Sequence, residues 1–69
     1  MANRIEPVGL VEIAARLGVK RGTANMWHYR TARGELPDPM PEPQWTVSGQ
    51  PAWNWAAVER WARRTGRAA

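Results

Sequence analysis

Lys20, Arg21 and Asn25 stand close together in the sequence and carry side chains suited to nucleic-acid chemistry. A guanidinium can bond to both O6 and N7 of guanine, an asparagine amide can pair with N6 and N7 of adenine, and lysine most often neutralises a phosphate. We therefore expect Arg21 and Asn25 to read base edges. The alternative is an ordinary solvated helix face, which many basic surface helices present.

Three further residues of the same segment have roles that residue type alone leaves open. Gly22 removes a side chain from this surface, so free N–H groups at a helix N-terminus could approach a phosphate closely. The cost of that glycine is ~1 kcal/mol of helix stability relative to alanine. His28 and Tyr29 could contact phosphates, but either could equally pack against the protein or face solvent.

The segment from Leu10 to Arg30 has the layout of a helix-turn-helix. Gly18 ends its first helix, because glycine adopts the left-handed conformation without steric cost. The second helix is expected from about Lys20 or Arg21 to about Arg30, presenting a polar, basic face to a major groove. The apolar stripe of the first helix, at positions i, i+3, i+4 and i+7, consists of Leu10, Ile13, Ala14 and Leu17.

Capping signals mark the start of this unit. Gly9 is the expected N-cap, and Glu12 at the third helical position favours the positive end of the helix. Val8 can pack onto Ile13 across the cap. Residues 1–7 are interpreted as a flexible arm, because the segment is polar and without periodicity; the domain then covers residues 8–65 and a tail covers 66–69.

After a turn at residues 31–35, residues 36–43 carry proline at every second position. Proline fixes φ and pushes its predecessor into the extended region, so this stretch is expected to be a stiff connector inside the domain. A Pro-rich recognition site is the alternative.

The remaining chain predicts a short ribbon followed by a closing helix. Residues 44–48 alternate polar and apolar side chains, Gly49-Gln50 signals a turn, and residues 51–53 can return as a second strand. Asn54 is a good N-cap for a helix from Trp55 to about Arg64, with its end marked by Gly66. We thus predict a mainly α fold with a small two-stranded antiparallel β-wing, which is a winged helix-turn-helix layout.

Five tryptophans supply most of the aromatic packing area of this 69-residue chain. Trp27 and Trp61 lie on the apolar stripes of their helices and are expected in the core, as are Trp45 and Trp53 on the strands. Trp55 differs, because an indole beside a helix cap could serve a neighbouring subunit or the DNA backbone. Single-strand stacking is the competing interpretation of the tryptophans.

The formal charge of +4 and pI of about 11.2 favour a polyanionic partner. One group of basic residues lies in or beside the helix pair and comprises Arg16, Lys20, Arg21, Arg30 and Arg33. Glu59 is spaced to pair with Arg63 at i, i+4. The C-terminal basic residues are either a solvated tail or a second phosphate-binding patch; they are Arg60, Arg63, Arg64 and Arg67.

Several classes of function find no support in the composition. The chain has no cysteine and one histidine, so a disulfide framework or a zinc site is not expected. No carboxylate pair, nucleophile-base constellation or phosphate loop argues for an enzyme, a cofactor or a small-molecule ligand. No stretch approaches the ~18 apolar residues of a membrane span, and no signal-peptide pattern is present, so a cytoplasmic location is expected.

Residues 8–64 resemble the small MerR-like winged-helix proteins, a group that includes phage excisionases and AlpA-type regulators. The resemblance rests on Val11-Glu12-Ile13-Ala14, Leu17-Gly18-Val19, Thr23-Ala24, Trp27, Leu36-Pro37, Trp53 and Val58-Glu59-Arg60-Trp61. It implies that the second helix enters the major groove, while the wing contacts the adjacent minor groove or backbone. The wing tip of this chain is neutral, unlike the arginine-bearing tips common in the group. Most of the contacts that recognise the DNA sequence are therefore expected from the helix.

Together, the residues and the resemblance define an expected DNA-binding set. It comprises Lys20, Arg21, Gly22, Thr23, Asn25, Met26, Tyr29 and Arg30 on the helix, with Ser48, Gly49 and Gln50 at the wing tip. The expected function is sequence-specific binding of double-stranded DNA, as an excisionase-like recombination directionality factor or a small transcriptional regulator. The alternative is a protein-interaction adaptor using Trp55 and the connector, or a phage packaging-type DNA-recognition module.

A single domain of this size covers roughly 600–1,000 Å² on DNA, so useful specificity is expected to need several copies. The resemblance accordingly implies homotypic cooperative assembly on DNA. It also implies an integrase or RNA polymerase as a further partner.

Overall fold

The computed structural model describes residues 5–67. Its first helix, α1, spans Leu10–Leu17, as predicted. The Glu12 carboxylate accepts a 3.2 Å hydrogen bond from the Gly9 backbone N–H, which caps the start of the helix. Gly18 adopts φ 70° and ψ 30°, and the N–H of Val19 donates to the Ala14 carbonyl at 2.9 Å. The left-handed glycine therefore ends α1 and turns the chain toward the next helix.

Helix α2 spans Arg21–Ala32 and follows α1 after three residues. The carbonyl of Lys20, the N-cap residue, accepts hydrogen bonds from the N–H groups of Thr23 and Ala24 at 3.0 and 3.2 Å. The helix continues two residues beyond the predicted end at Arg30, so the turn that follows is shorter than predicted. Only Ala24 of this helix is fully buried, which leaves a broad outer face to solvent.

The sheet has three antiparallel strands, not the two predicted for the wing. Strands β2 (Trp45–Val47) and β3 (Gln50–Asn54) form the predicted ribbon, and β1 (Pro7–Val8) pairs with the other edge of β3. The N–H of Trp55 also donates to the Glu6 carbonyl at 2.9 Å. The end of the predicted N-terminal arm is thus part of the sheet, while residues 1–4 and 68–69 lie outside the described residues.

The ribbon turn is shifted by one residue from its predicted position. Ser48 and Gly49 occupy it with φ of 51° and 78°, the positive values that a two-residue hairpin turn requires. Gln50 therefore belongs to β3 and pairs with Val47.

Helix α3 spans Trp55–Arg64, matching its predicted bounds. The Asn54 side chain accepts a hydrogen bond from the Ala56 N–H at 3.4 Å, so the predicted cap is present. Val58, Trp61 and Ala62 are buried, which confirms the predicted apolar stripe. None of the helices within residues 5–67 is long and apolar enough to cross a membrane.

The connector between α2 and β2 lies against the core and contributes to it. Met40 is 3% exposed, and its N–H donates to the Thr31 hydroxyl oxygen at 3.0 Å. No periodicity signals this buried methionine among the prolines, so the sequence gives no cue for it. The hydrophobic core comprises Val8, Ile13, Leu17, Met40, Trp53, Val58, Trp61 and Ala62.

Trp53 and Trp61 are fully buried, as predicted. Trp27 and Trp45, also expected in the core, are only partly buried, as is Trp55. Trp27 meets Trp61 edge-on, with ring centroids 5.5 Å apart and an interplanar angle of 76°. This contact ties α2 to α3. Trp55 packs against the core from its rim, and the Arg16 guanidinium lies 5.0 Å from its ring centroid.

Candidate nucleic-acid interface

The outer face of α2, together with its N-cap residue, carries most of the expected DNA-binding residues. Arg21, Asn25 and Tyr29 follow one another at intervals of four residues, so they line one face of the helix. Thr23 is the exception, because it is half-buried. The exposed members of the expected set on this segment are Lys20, Arg21, Gly22, Asn25, Met26, Tyr29 and Arg30.

This face is basic and carries no acidic residue between Lys20 and Gly34. Within residues 5–67, no carboxylate lies within ion-pair distance of Lys20, Arg21 or Arg30. These charges are therefore available to an anion. Arg33 differs, because its Nε lies 3.1 Å from a carboxylate oxygen of Glu35.

Tyr29 is held in place at the C-terminal end of this face. Its hydroxyl oxygen accepts a 2.7 Å hydrogen bond from Nη1 of Arg33, whose guanidinium carbon lies 5.3 Å from the Tyr29 ring centroid. The ring nevertheless remains 59% exposed. Its hydroxyl proton can thus be donated outward to an acceptor such as a phosphate oxygen.

A shallow groove of about 380 Å³ brings two separate parts of the expected site together. Arg21 and Asn25 of α2 form one side, and Gln50 at the start of β3 forms the other. The resemblance to winged-helix proteins implied a role for the ribbon tip, and Asn25 and Gln50 are 25 residues apart in the sequence. The fold places their polar side chains around one opening.

Val11 of α1 also lines this groove and was not among the expected site residues. Its side chain is 60% exposed although it lies on the helix that packs against α2. The sequence feature that could have indicated Val11 is an apolar residue on the solvent side of a helix. In this position it supplies an apolar wall beside Arg21 and Asn25.

The other expected residues are arranged around the groove without lining it. Ser48 and Gly49 are exposed at the ribbon turn, and Met26 and Arg30 are exposed farther along α2. At Gly22 an added Cβ would meet no atom within 4 Å, so the protein itself places no steric demand on glycine there. The space in front of Gly22 is open toward solvent.

His28 lies on the inner side of α2 and packs against the core. Its ring meets Trp53 edge-on, with centroids 5.1 Å apart and an interplanar angle of 88°. Of the roles left open for this residue, the structure favours packing over contact with a phosphate. Within residues 5–67, no group of three or more His, Cys, Asp or Glu residues is placed to hold a metal ion.

No protein-family model matches the chain. Neither a curated protein nor a solved structure matches it significantly.

Proposed function

We propose that this chain is a sequence-specific double-stranded DNA-binding protein of the winged helix-turn-helix type. Helix α2 enters the major groove, and the β2–β3 ribbon contacts the adjacent backbone or minor groove. The observation that carries the proposal is the shared groove of Arg21, Asn25 and Gln50. It gives one surface in which a helix and a ribbon can contact the same duplex.

The cationic side chains of α2 and its N-cap suit a phosphate backbone, whereas the Glu12 carboxylate, which also lines the groove, accepts a hydrogen bond from the Gly9 N–H. Lys20 and Arg30 are exposed, and each would release a counterion from DNA on contact with a phosphate. Asn25 is flanked by the apolar Met26, and such a mixture of amide and apolar side chains suits base edges and thymine methyl groups. Phosphate contacts would position the helix, and Arg21 and Asn25 would supply the sequence preference.

The alternative function is a protein-interaction adaptor that uses Trp55 and the connector. The contacts of these two surfaces support it less well. Trp55 packs on the core beneath Arg16, and the connector carbonyls of Asp38 and Pro41 accept hydrogen bonds from core indoles. Trp55 and two connector carbonyls are thus engaged within the chain itself, although residues 37–39 and 42–44 remain exposed. We therefore retain DNA binding as the proposed function, in recombination directionality control or in transcriptional regulation.

Selection of bound duplexes from a random pool, followed by footprinting, tests this proposal. We expect enrichment of a discrete motif, protected over a short stretch. Motif copies at a fixed spacing would indicate cooperative assembly of several molecules, and inverted copies would indicate a dimer. A pool that shows no enrichment over the input would contradict sequence-specific binding.

A further inference from the structure

Helix α3 carries a second exposed basic surface, formed by Arg60 and Arg64. The two residues are four apart, so their side chains are neighbours on one face of the helix. Within residues 5–67, neither guanidinium has a carboxylate within ion-pair distance. Both charges are therefore directed to solvent.

The other two arginines of this region are already engaged within the protein. Nη2 of Arg63 lies 3.1 Å from a carboxylate oxygen of Glu59. The Arg67 guanidinium carbon lies 4.9 Å from the ring centroid of Trp61 and 5.5 Å from that of Trp27. Arg60 and Arg64 thus differ from their neighbours, because neither has a hydrogen-bond, ion-pair or ring partner among residues 5–67.

The stability of helix α3 does not explain why both position 60 and position 64 carry an arginine. A cation in the last turn interacts favourably with the helix dipole, which suits Arg64 but not Arg60, one turn earlier. Like charges at i, i+4 destabilise a helix. An anion bound between the two guanidinium groups would remove that repulsion.

The pair lies outside the groove of Arg21, Asn25 and Gln50, which no residue of α3 lines. With about 100° between successive residues, Arg60 lies about 160° around α3 from the fully buried Val58. Asn25 likewise lies about 160° around α2 from Trp27, which packs on Trp61 of α3. Asn25 on α2 and Arg60 on α3 therefore both point away from the core, and the two basic surfaces are separate.

We propose that Arg60 and Arg64 form a second phosphate-binding surface that takes a separate segment of duplex DNA, so that one molecule bridges two duplex segments. The pair is separated by about 6 Å along the helix axis. Successive phosphates of one strand rise by roughly 3.4 Å, so two long arginine side chains can reach neighbouring phosphates. The proposal rests on the proposed function, because the first duplex is held by α2 and the ribbon.

A capture experiment with the full chain tests the bridge. A short unlabelled duplex carrying the selected motif is attached to beads, protein is added, and retention of a second, fluorescent duplex is measured. Wild-type protein should retain the second duplex. The Arg60→Gln/Arg64→Gln protein should retain roughly tenfold less, while its affinity for a single duplex changes by less than about twofold.

Single variants provide a control matched in charge and position. Arg64→Gln and Arg63→Gln each remove one positive charge from adjacent positions of α3, but only Arg63 is paired with a carboxylate. Arg64→Gln should lower capture of the second duplex clearly more than Arg63→Gln. Equal losses would overturn the assignment to Arg60 and Arg64.

The remaining outcomes separate this inference from the proposed function. Wild-type protein that binds one duplex but captures no second one would overturn the bridge and leave the proposed function intact. Full capture by the double variant would also overturn it, since another contact, such as one between two protein molecules, would then form the bridge. Failure of wild-type protein to bind any duplex would overturn both.

Discussion

The indole Nε1 of Trp61 donates a 2.9 Å hydrogen bond to the backbone carbonyl of Asp38. Trp53 makes the corresponding bond to the Pro41 carbonyl at 2.7 Å. The prolines of the connector have no N–H to donate, so its attachment depends strongly on carbonyl acceptors and on apolar contact. Two core tryptophans therefore hold the connector that joins the helix pair to the ribbon.

Replacing Trp61 should separate the contribution of packing from that of this hydrogen bond. Trp61→Ala should lower the free energy of unfolding by ~3–5 kcal/mol as a core truncation. Trp61→Phe keeps an aromatic ring but leaves the Asp38 carbonyl without its donor, and should cost about 1–3 kcal/mol. Urea unfolding measures both values. If Trp61→Phe unfolds like the wild type, the bond to Asp38 does not contribute to stability.

Two methionines provide a matched test of the core and the interface. Met40→Ala should lower the free energy of unfolding by ~2–5 kcal/mol, because the side chain is only 3% exposed. Met26→Ala, at a position 48% exposed on α2, should change it by less than about 0.5 kcal/mol. Duplex affinity should fall for Met26→Ala, measured by fluorescence anisotropy. Similar stability losses for both variants would contradict the placement of Met40 in the core.

Gly22→Ala should raise stability and weaken DNA binding at the same time. Gly22 lies within α2, where alanine is favoured over glycine by roughly 0.5–1 kcal/mol, and an added Cβ meets no protein atom within 4 Å. A methyl group there would nevertheless stand between the helix start and a DNA backbone. Thermal unfolding and duplex affinity are measured on the same protein. Unchanged affinity would remove Gly22 from the interface.

Arg21→Ala should cost about 1–3 kcal/mol of binding free energy on the selected duplex and relax preference at one base position. Arg33→Ala is the matched control, since Arg33 is also a basic residue at α2 but is paired with Glu35. Its effect on affinity should be smaller. An equal loss for Arg21→Ala on selected and random duplexes would reassign Arg21 to phosphate contact.

The sequence predicts the helices well because their signals are local. Apolar spacing in α1 and α3, the left-handed Gly18 and the Asn54 cap each act within a few residues. Strand β1 was missed because two residues show no periodicity and pair with β3 about 45 residues later. Met40 was missed for a related reason, since its burial depends on packing against residues distant in the chain.

The sequence predicted the separate segments that form the candidate site, but not that they meet at one groove. Residue type and helix position pointed to Arg21 and Asn25, and the resemblance to winged-helix proteins implied the ribbon tip. That Gln50 faces the same groove depends on how the ribbon packs beside α1 and α2, which local patterns do not encode. Val11 was missed although its place outside the apolar stripe of α1 was a visible signal, because a single exposed apolar residue does not by itself indicate a binding site.

The dependence of duplex affinity on salt concentration tests the central claim most directly. If Lys20 and Arg30 each neutralise one phosphate, the logarithm of the association constant should fall with that of salt concentration at a slope of about −1.8 or steeper. The Lys20→Ala variant should be shallower by about 0.9. A flat dependence, or no binding to any duplex at tens of micromolar protein, would contradict DNA binding by this surface.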